Sequence, residues 1–176
     1  MVGRMSRAAL LFLSIPVLLS TTAAASQPLQ SPESLARRAD RVVKARVVGQ
    51  VQEKDGEAGM RGAFVVSTLQ ISDTLLGDPV ARLEVAQLGG RVGGWESGVV
   101  GDARLQRGEE AVFFLRCRDP RQPTRCTLVG RRDGRMPWNP RTGEVELPTG
   151  PGVQAAGATR SVTLEQLRAR VTAVRQ

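Results

Sequence analysis

Arg41-Val42-Val43-Lys44-Ala45-Arg46-Val47-Val48-Gly49-Gln50-Val51 is the stretch on which the fold class turns. Val43, Ala45, Val47 and Val51 fall on one side of an extended chain, with Lys44, Arg46 and Gln50 among the residues on the other. That period of two predicts a strand with one buried face. Ala63 to Ser72 predicts a second strand through Val65, Leu69 and Ile71, ended by Asp73-Thr74-Leu75-Leu76-Gly77-Asp78-Pro79. A third, from Arg82 to Leu88, leads into Gly89-Gly90. Gly108-Glu109-Glu110 then turns the chain into Ala111-Val112-Phe113-Phe114-Leu115, an apolar run expected to be a central strand. Arg125 to Arg131 is expected to pair with it in antiparallel fashion. Arg135 to Trp138 and Glu144 to Leu147 flank Asn139-Pro140-Arg141-Thr142-Gly143 and predict a terminal hairpin.

Helices are expected at both ends of this β region. Ser31-Pro32-Glu33 combines a capping serine, a proline suited to the first helical position and an acid facing the positive end of the dipole, so a short helix should run to about Ala39. Leu35, Ala36 and Ala39 are its only apolar face, so it must lean on a larger element. Near the C-terminus, Thr163 with Gln166 predicts a capping box, and Leu164, Leu167, Val171 and Val174 form one helical stripe. The expected architecture is mainly β: a small five-stranded barrel over residues 26–147, a Gly/Ala/Pro linker over 148–160, and an amphipathic helix within 161–176. Residues 89–108 hold seven glycines and no long apolar run, which predicts a long surface loop. Within it Trp95 is either a plug folded back onto the barrel or an exposed contact.

The first 25 residues read as a cleaved secretory signal. Arg4 and Arg7 give a positive start, the apolar run from Ala8 to Leu19 is short for ~30 Å of hydrocarbon, and Ala23 and Ala25 suit signal peptidase. Cleavage after Ala25 leaves residues 26–176, enough for one domain with a single core and without a membrane span. Removing Arg4 and Arg7 leaves 23 basic residues against 17 acidic ones, a charge of +6. Export places Cys117 and Cys126, the only cysteines, where disulfides persist. With Asp119-Pro120 and Pro123 between them as turn formers, a bond between the two is expected. A metal site is the alternative, but two thiols without histidine fall short of the usual four ligands.

Arg116, Arg118, Arg121, Arg125, Arg131, Arg132 and Arg135 crowd one region against only Asp119 and Asp133, so a polyanion has a place to dock. Nucleic-acid recognition would join such a cluster to stacking aromatics. This chain has no tyrosine, and Trp138 is the only aromatic close to the cluster, so no nucleic-acid partner is expected. The absence of histidine excludes Ser-His-Asp and Cys-His catalysis and the common histidine metal sites. Glu109-Glu110 and the Glu144/Glu146 pair do not signal a general acid and base converging on one pocket. Gly89-Gly90-Arg91-Val92-Gly93-Gly94 lacks the spacing and the following helix of a phosphate-binding turn. The expectation is a non-enzymatic protein with neither cofactor nor metal.

The run Ser34-Leu35-Ala36-Arg37-Arg38-Ala39-Asp40-Arg41-Val42-Val43-Lys44-Ala45-Arg46-Val47-Val48 resembles the opening of the tissue inhibitors of metalloproteinases. There a short helical segment enters an Ala-Asp-x-Val stretch and an Arg/Lys-Ala-x-Val strand. The likeness extends through Val65 to Ile71, the Leu75-Leu76-Gly77 turn and the strand ending at Leu115, covering about residues 31–131. It implies the netrin-like version of the OB-fold barrel. The same strand pattern is similar to that of small exported bacterial proteins of unknown function.

In the inhibitors a Cys-x-Cys at the mature N-terminus reaches the protease zinc, whereas the mature start expected here is Ser26-Gln27-Pro28. No site residue is therefore carried over. The functional expectation is a secreted or periplasmic binding domain whose partner is a protein, such as a protease or an envelope protein, or an anionic envelope polymer. Trp95, Arg116, Arg118, Arg121 and Arg125 are the expected contacts. The alternative is a protease inhibitor acting through surface loops.

Overall fold

Every residue from Ala111 to Leu115 is buried because strand β5 (Glu110–Arg116) carries a core on each face. Alternation sends Ala111, Phe113 and Leu115 to one side, where they meet Val43, Val47, Leu69 and Val85. Val112 and Phe114 go to the other side, where they meet Leu35, Met136, Leu167 and Val171. The computed structural model describes residues 29–54, 63–92, 95–99, 101–149 and 160–174. The expected signal segment and residues 150–159 of the expected linker lie outside them.

The described elements are α1 (Pro32–Arg38), β1 (Arg41–Lys54), β2 (Ala63–Leu76), β3 (Arg82–Val92), β4 (Trp95–Gly98), β5, β6 (Arg125–Leu128), a 3₁₀ turn (Arg131–Gly134), β7 (Arg135–Asn139), β8 (Glu144–Glu146), β9 (Ser161–Thr163) and α2 (Leu164–Ala173). The fold is mainly β. Eight strands follow the order β1-β2-β3-β6-β5-β7-β8-β9, β4 pairs with β3, and a further β1–β5 pairing closes β1, β2, β3, β6 and β5 into a ring. These five are read from the sequence, as is the hairpin of β7 and β8. β6 joins β3 in parallel and β5 in antiparallel fashion, through two residue pairs each.

The first core fills the ring, and the second lies between its outer face and the two helices. Ser31 caps α1 by accepting from the Ser34 N–H, and Thr163 and Gln166 make a reciprocal capping box at α2, as expected. The apolar stripe of α2 docks on the same core as α1 through Leu167 and Val171. Arg168 fixes the helix further by donating to the Thr74 carbonyl at 2.9 Å and to Asp73 at 2.6 Å. Arg170 lies 3.8 Å from Glu33. Burial acts against charge on Glu33, but its own backbone N–H, the Ser31 hydroxyl and the nearby Arg170 and Arg37 outweigh it, so its carboxyl sits below the ordinary range.

Three expectations are corrected. β2 runs on to Leu76 instead of ending at Asp73, because two irregularities let Asp73 and Thr74 pair with Lys44 and Val43. Residues 89–108 are not one loop: β3 continues through Gly89 and Gly90 to Val92 and turns back as β4. Gly89 and Gly90 have φ of 123° and 132°, values open to glycine, so they bend the strand without ending it. The third correction concerns the face assigned to Val51. Val47 pairs with Leu69 and Gly49 with Thr68, so β1 carries one extra residue, Val48, and beyond this bulge its two faces exchange. Val51, expected inside, is 59% exposed. Gln50 is exposed, as expected, but its amide reaches Ser67, which is fully buried beside the ring core.

Candidate functional site

The bulge after Val47 ends the apolar filling of the ring and puts a polar layer at its mouth. Gln50 donates to the Ser67 hydroxyl at 3.0 Å and to the Leu105 carbonyl at 2.8 Å. Across β2, Gln87 of β3 donates to the Ala103 carbonyl at 2.5 Å. Backbone carbonyls only accept, so both amide nitrogens must face them, and each glutamine keeps its carbonyl oxygen for other work. Residues 101–108 lie across the mouth as a strap, with Ala103 and Leu105 buried beneath it. The Gly101 carbonyl accepts from the Arg132 N–H, and Gly108 donates to the Val47 carbonyl at 2.7 Å. The carbonyls of residues 101, 103 and 105 are thus each held, in the alternation of an extended chain.

Between the strap and the sheet end lies a cleft of about 660 Å³, walled by Gln50, Gln52, Gln87, Leu88, the backbone at Gly89 and Gly90, and residues 102–105. That size is in the range of small-ligand sites, which runs to roughly 1,000 Å³. Among the described residues, Asp102 and Arg104 are the only ionisable ones in its wall, one of each sign. Leu88 is 44% exposed and supplies an apolar contact at its edge. The rest of the polar wall is amide and main chain.

Where their side chains are described, the contact residues expected from the sequence have different partners. Trp95 opens β4 opposite Val92; its side chain lies outside the described ones, and so does the choice between plug and contact. Arg116 is half-buried and donates to the Arg38 carbonyl at 3.2 Å and 3.3 Å. Arg125 is half-buried and forms an ion pair with Glu53 at the far end of β1. Arg118 and Arg121 stand exposed, on the turn between β5 and β6. The wider cluster is divided in the same way, with Arg131 3.9 Å from Asp102 and Arg135 2.9 Å from Glu109.

Cys117 and Cys126 are bonded and close the base of that turn. Asp119 braces its tip by accepting from the Arg121 N–H at 2.9 Å. The carboxylates Glu109 and Glu110 bind different partners, Arg135 and Arg46, and Glu144 accepts from the Ser161 hydroxyl. They share no pocket. Among the described residues no group of three or more His, Cys, Asp or Glu is placed to hold a metal, and no helix is long and apolar enough to cross a membrane.

The cleft was not visible from the sequence, although Gly49 within a β-branched strand signals a bulge. Once the bulge is placed, Gln50 and Gln52 share the face that lines the cleft. No family model matches the chain, and no curated protein matches it.

Proposed function

We propose that this chain is a secreted or periplasmic, non-enzymatic binding domain on a netrin-like OB barrel, and that its partner enters the cleft at the ring mouth. The observation that carries the reading is the wall of oriented amides around about 660 Å³, in which the described residues place no clustered acid, base or nucleophile. Such a wall suits recognition by hydrogen bonds and shape. The closed ring and the likeness of residues 31–131 to the inhibitors support the barrel, and the Cys117–Cys126 bond fits an oxidising compartment. Much of the cleft wall comes from residues 89–108, the stretch that holds Trp95, one of the expected contacts.

The test is capture from the cell's own envelope extract by the mature chain, by Leu88→Asp, and by the double variant Arg118→Ala/Arg121→Ala, at low and high salt. Binding through the cleft survives high salt, is lost with Leu88→Asp and persists in the arginine variant. Capture that only the arginine variant and salt abolish would replace this reading with an anionic envelope polymer on the turn.

A second reading, a protease inhibitor acting through a surface loop, is favoured by the turn itself. A disulfide at its base and the Asp119 brace pre-order an exposed loop, which lowers the entropy lost on docking. Secreted metalloproteases unaffected by micromolar protein would count against it.

A further inference from the structure

The strap is bound the way a ligand would be. Two side-chain amides from strands on either side of β2 take carbonyls two residues apart, at Ala103 and Leu105. A small side chain and a branched aliphatic one, two residues apart, fill the space below. Gly101 and Gly108, with φ of 87° and 90°, bracket the segment with conformations that favour glycine. The Ala103 and Leu105 carbonyls are thus both taken up by side chains of the ring wall.

We propose that the ring mouth is a receptor for an extended peptide segment of a partner protein, and that strap residues 102–105 occupy it as an internal stand-in. The partner segment carries a small residue followed two positions later by Leu or a similar aliphatic. It offers its carbonyls to Gln50 and Gln87 and displaces the strap about Gly101 and Gly108. The proposal rests on the cleft being the binding surface and adds the class of ligand. The strap's own hold on the mouth, by carbonyls taken up by glutamine amides, favours a peptide main chain over a polyanion. The tethered strap competes at high effective concentration, so the occupied mouth binds outsiders weakly until the strap is loosened.

The test uses a fluorescein-labelled peptide of residues 101–108, Gly-Asp-Ala-Arg-Leu-Gln-Arg-Gly, titrated into the mature protein and followed by fluorescence anisotropy. Leu105→Ala removes the strap's main anchor, and the peptide should bind this variant at least tenfold more tightly than wild type, with a scrambled peptide inert. Gln50→Ala/Gln87→Ala also frees the strap but removes the receptor's hooks, so it should show no such gain. Equal binding to wild type and Leu105→Ala, no binding to either, or a gain in the glutamine variant as large as that in Leu105→Ala would overturn the proposal. Should Leu105→Ala fail to fold, hydrogen exchange of wild type with millimolar peptide decides: exchange in residues 102–105 must speed up, and an unchanged rate refutes it. Loss of capture by Leu88→Asp together with a failed peptide test would leave the cleft standing and remove only the peptide.

Discussion

Gln50 holds the carbonyl of Leu105 at 2.8 Å across 55 residues of sequence, and with the same amide it satisfies the hydroxyl of buried Ser67. One side chain thus ties the strap to the wall of the ring. Gln50→Ala strips both partners and should lower stability by about 1–2 kcal/mol, read as a shift in the urea midpoint. Gln50→Glu should do no better, because a carboxylate cannot donate to the Leu105 carbonyl.

Phe113 and Phe114 are both fully buried but belong to different cores. Replacing either with alanine should cost about 3–5 kcal/mol in denaturant unfolding. The local signatures should differ: Phe114→Ala accelerates amide exchange in α1 and α2, and Phe113→Ala leaves those helices protected until the ring itself opens.

The Cys117–Cys126 bond closes a loop with a sequence separation of 9, at the strand that completes the ring. Reduction should raise the mass by two hydrogens. Cys117→Ser/Cys126→Ser should cost about 2–3 kcal/mol in urea unfolding. An unchanged midpoint would show that the two pairings of β6 on each side hold the ring without help.

Glu33 is held below the ordinary carboxylate range by hydrogen bonds and by Arg170 and Arg37. Its contribution is therefore complete above the unfolded-state value and is lost as pH falls through the lower folded-state value. Wild type should exceed Glu33→Gln in melting temperature at neutral pH, and the gap should close in acid. The side chain is about a third exposed, so the gap should be small.

Sequence patterning carried the strands of the ring and both helix caps, because those depend on local periodicity and on residues three apart. Residues 111–115 read as a central strand since a strand buried on both faces has no polar alternation. The cleft did not read out, for a reason of register. The sequence alternation treats β1 as one strand, and a single extra residue at Val48 exchanges the inside and outside of everything after it. Gly89 and Gly90 were misleading in the same region, since glycine marks a bend as readily as a loop. β9, at three residues with one apolar side chain, Val162, is too short for any pattern. The arginine cluster looked continuous because sequence neighbours were counted, whereas Arg125 and Arg135 reach acids 72 and 26 residues away.

The most direct measurement is hydrogen–deuterium exchange of the mature chain with and without the partner captured from envelope extract. Binding at the ring mouth predicts altered exchange in residues 50–52, 87–90 and 101–108, with residues 117–126 unchanged. Protection confined to residues 117–126, with the mouth unaffected, would contradict the account and move the binding surface to the disulfide-closed turn.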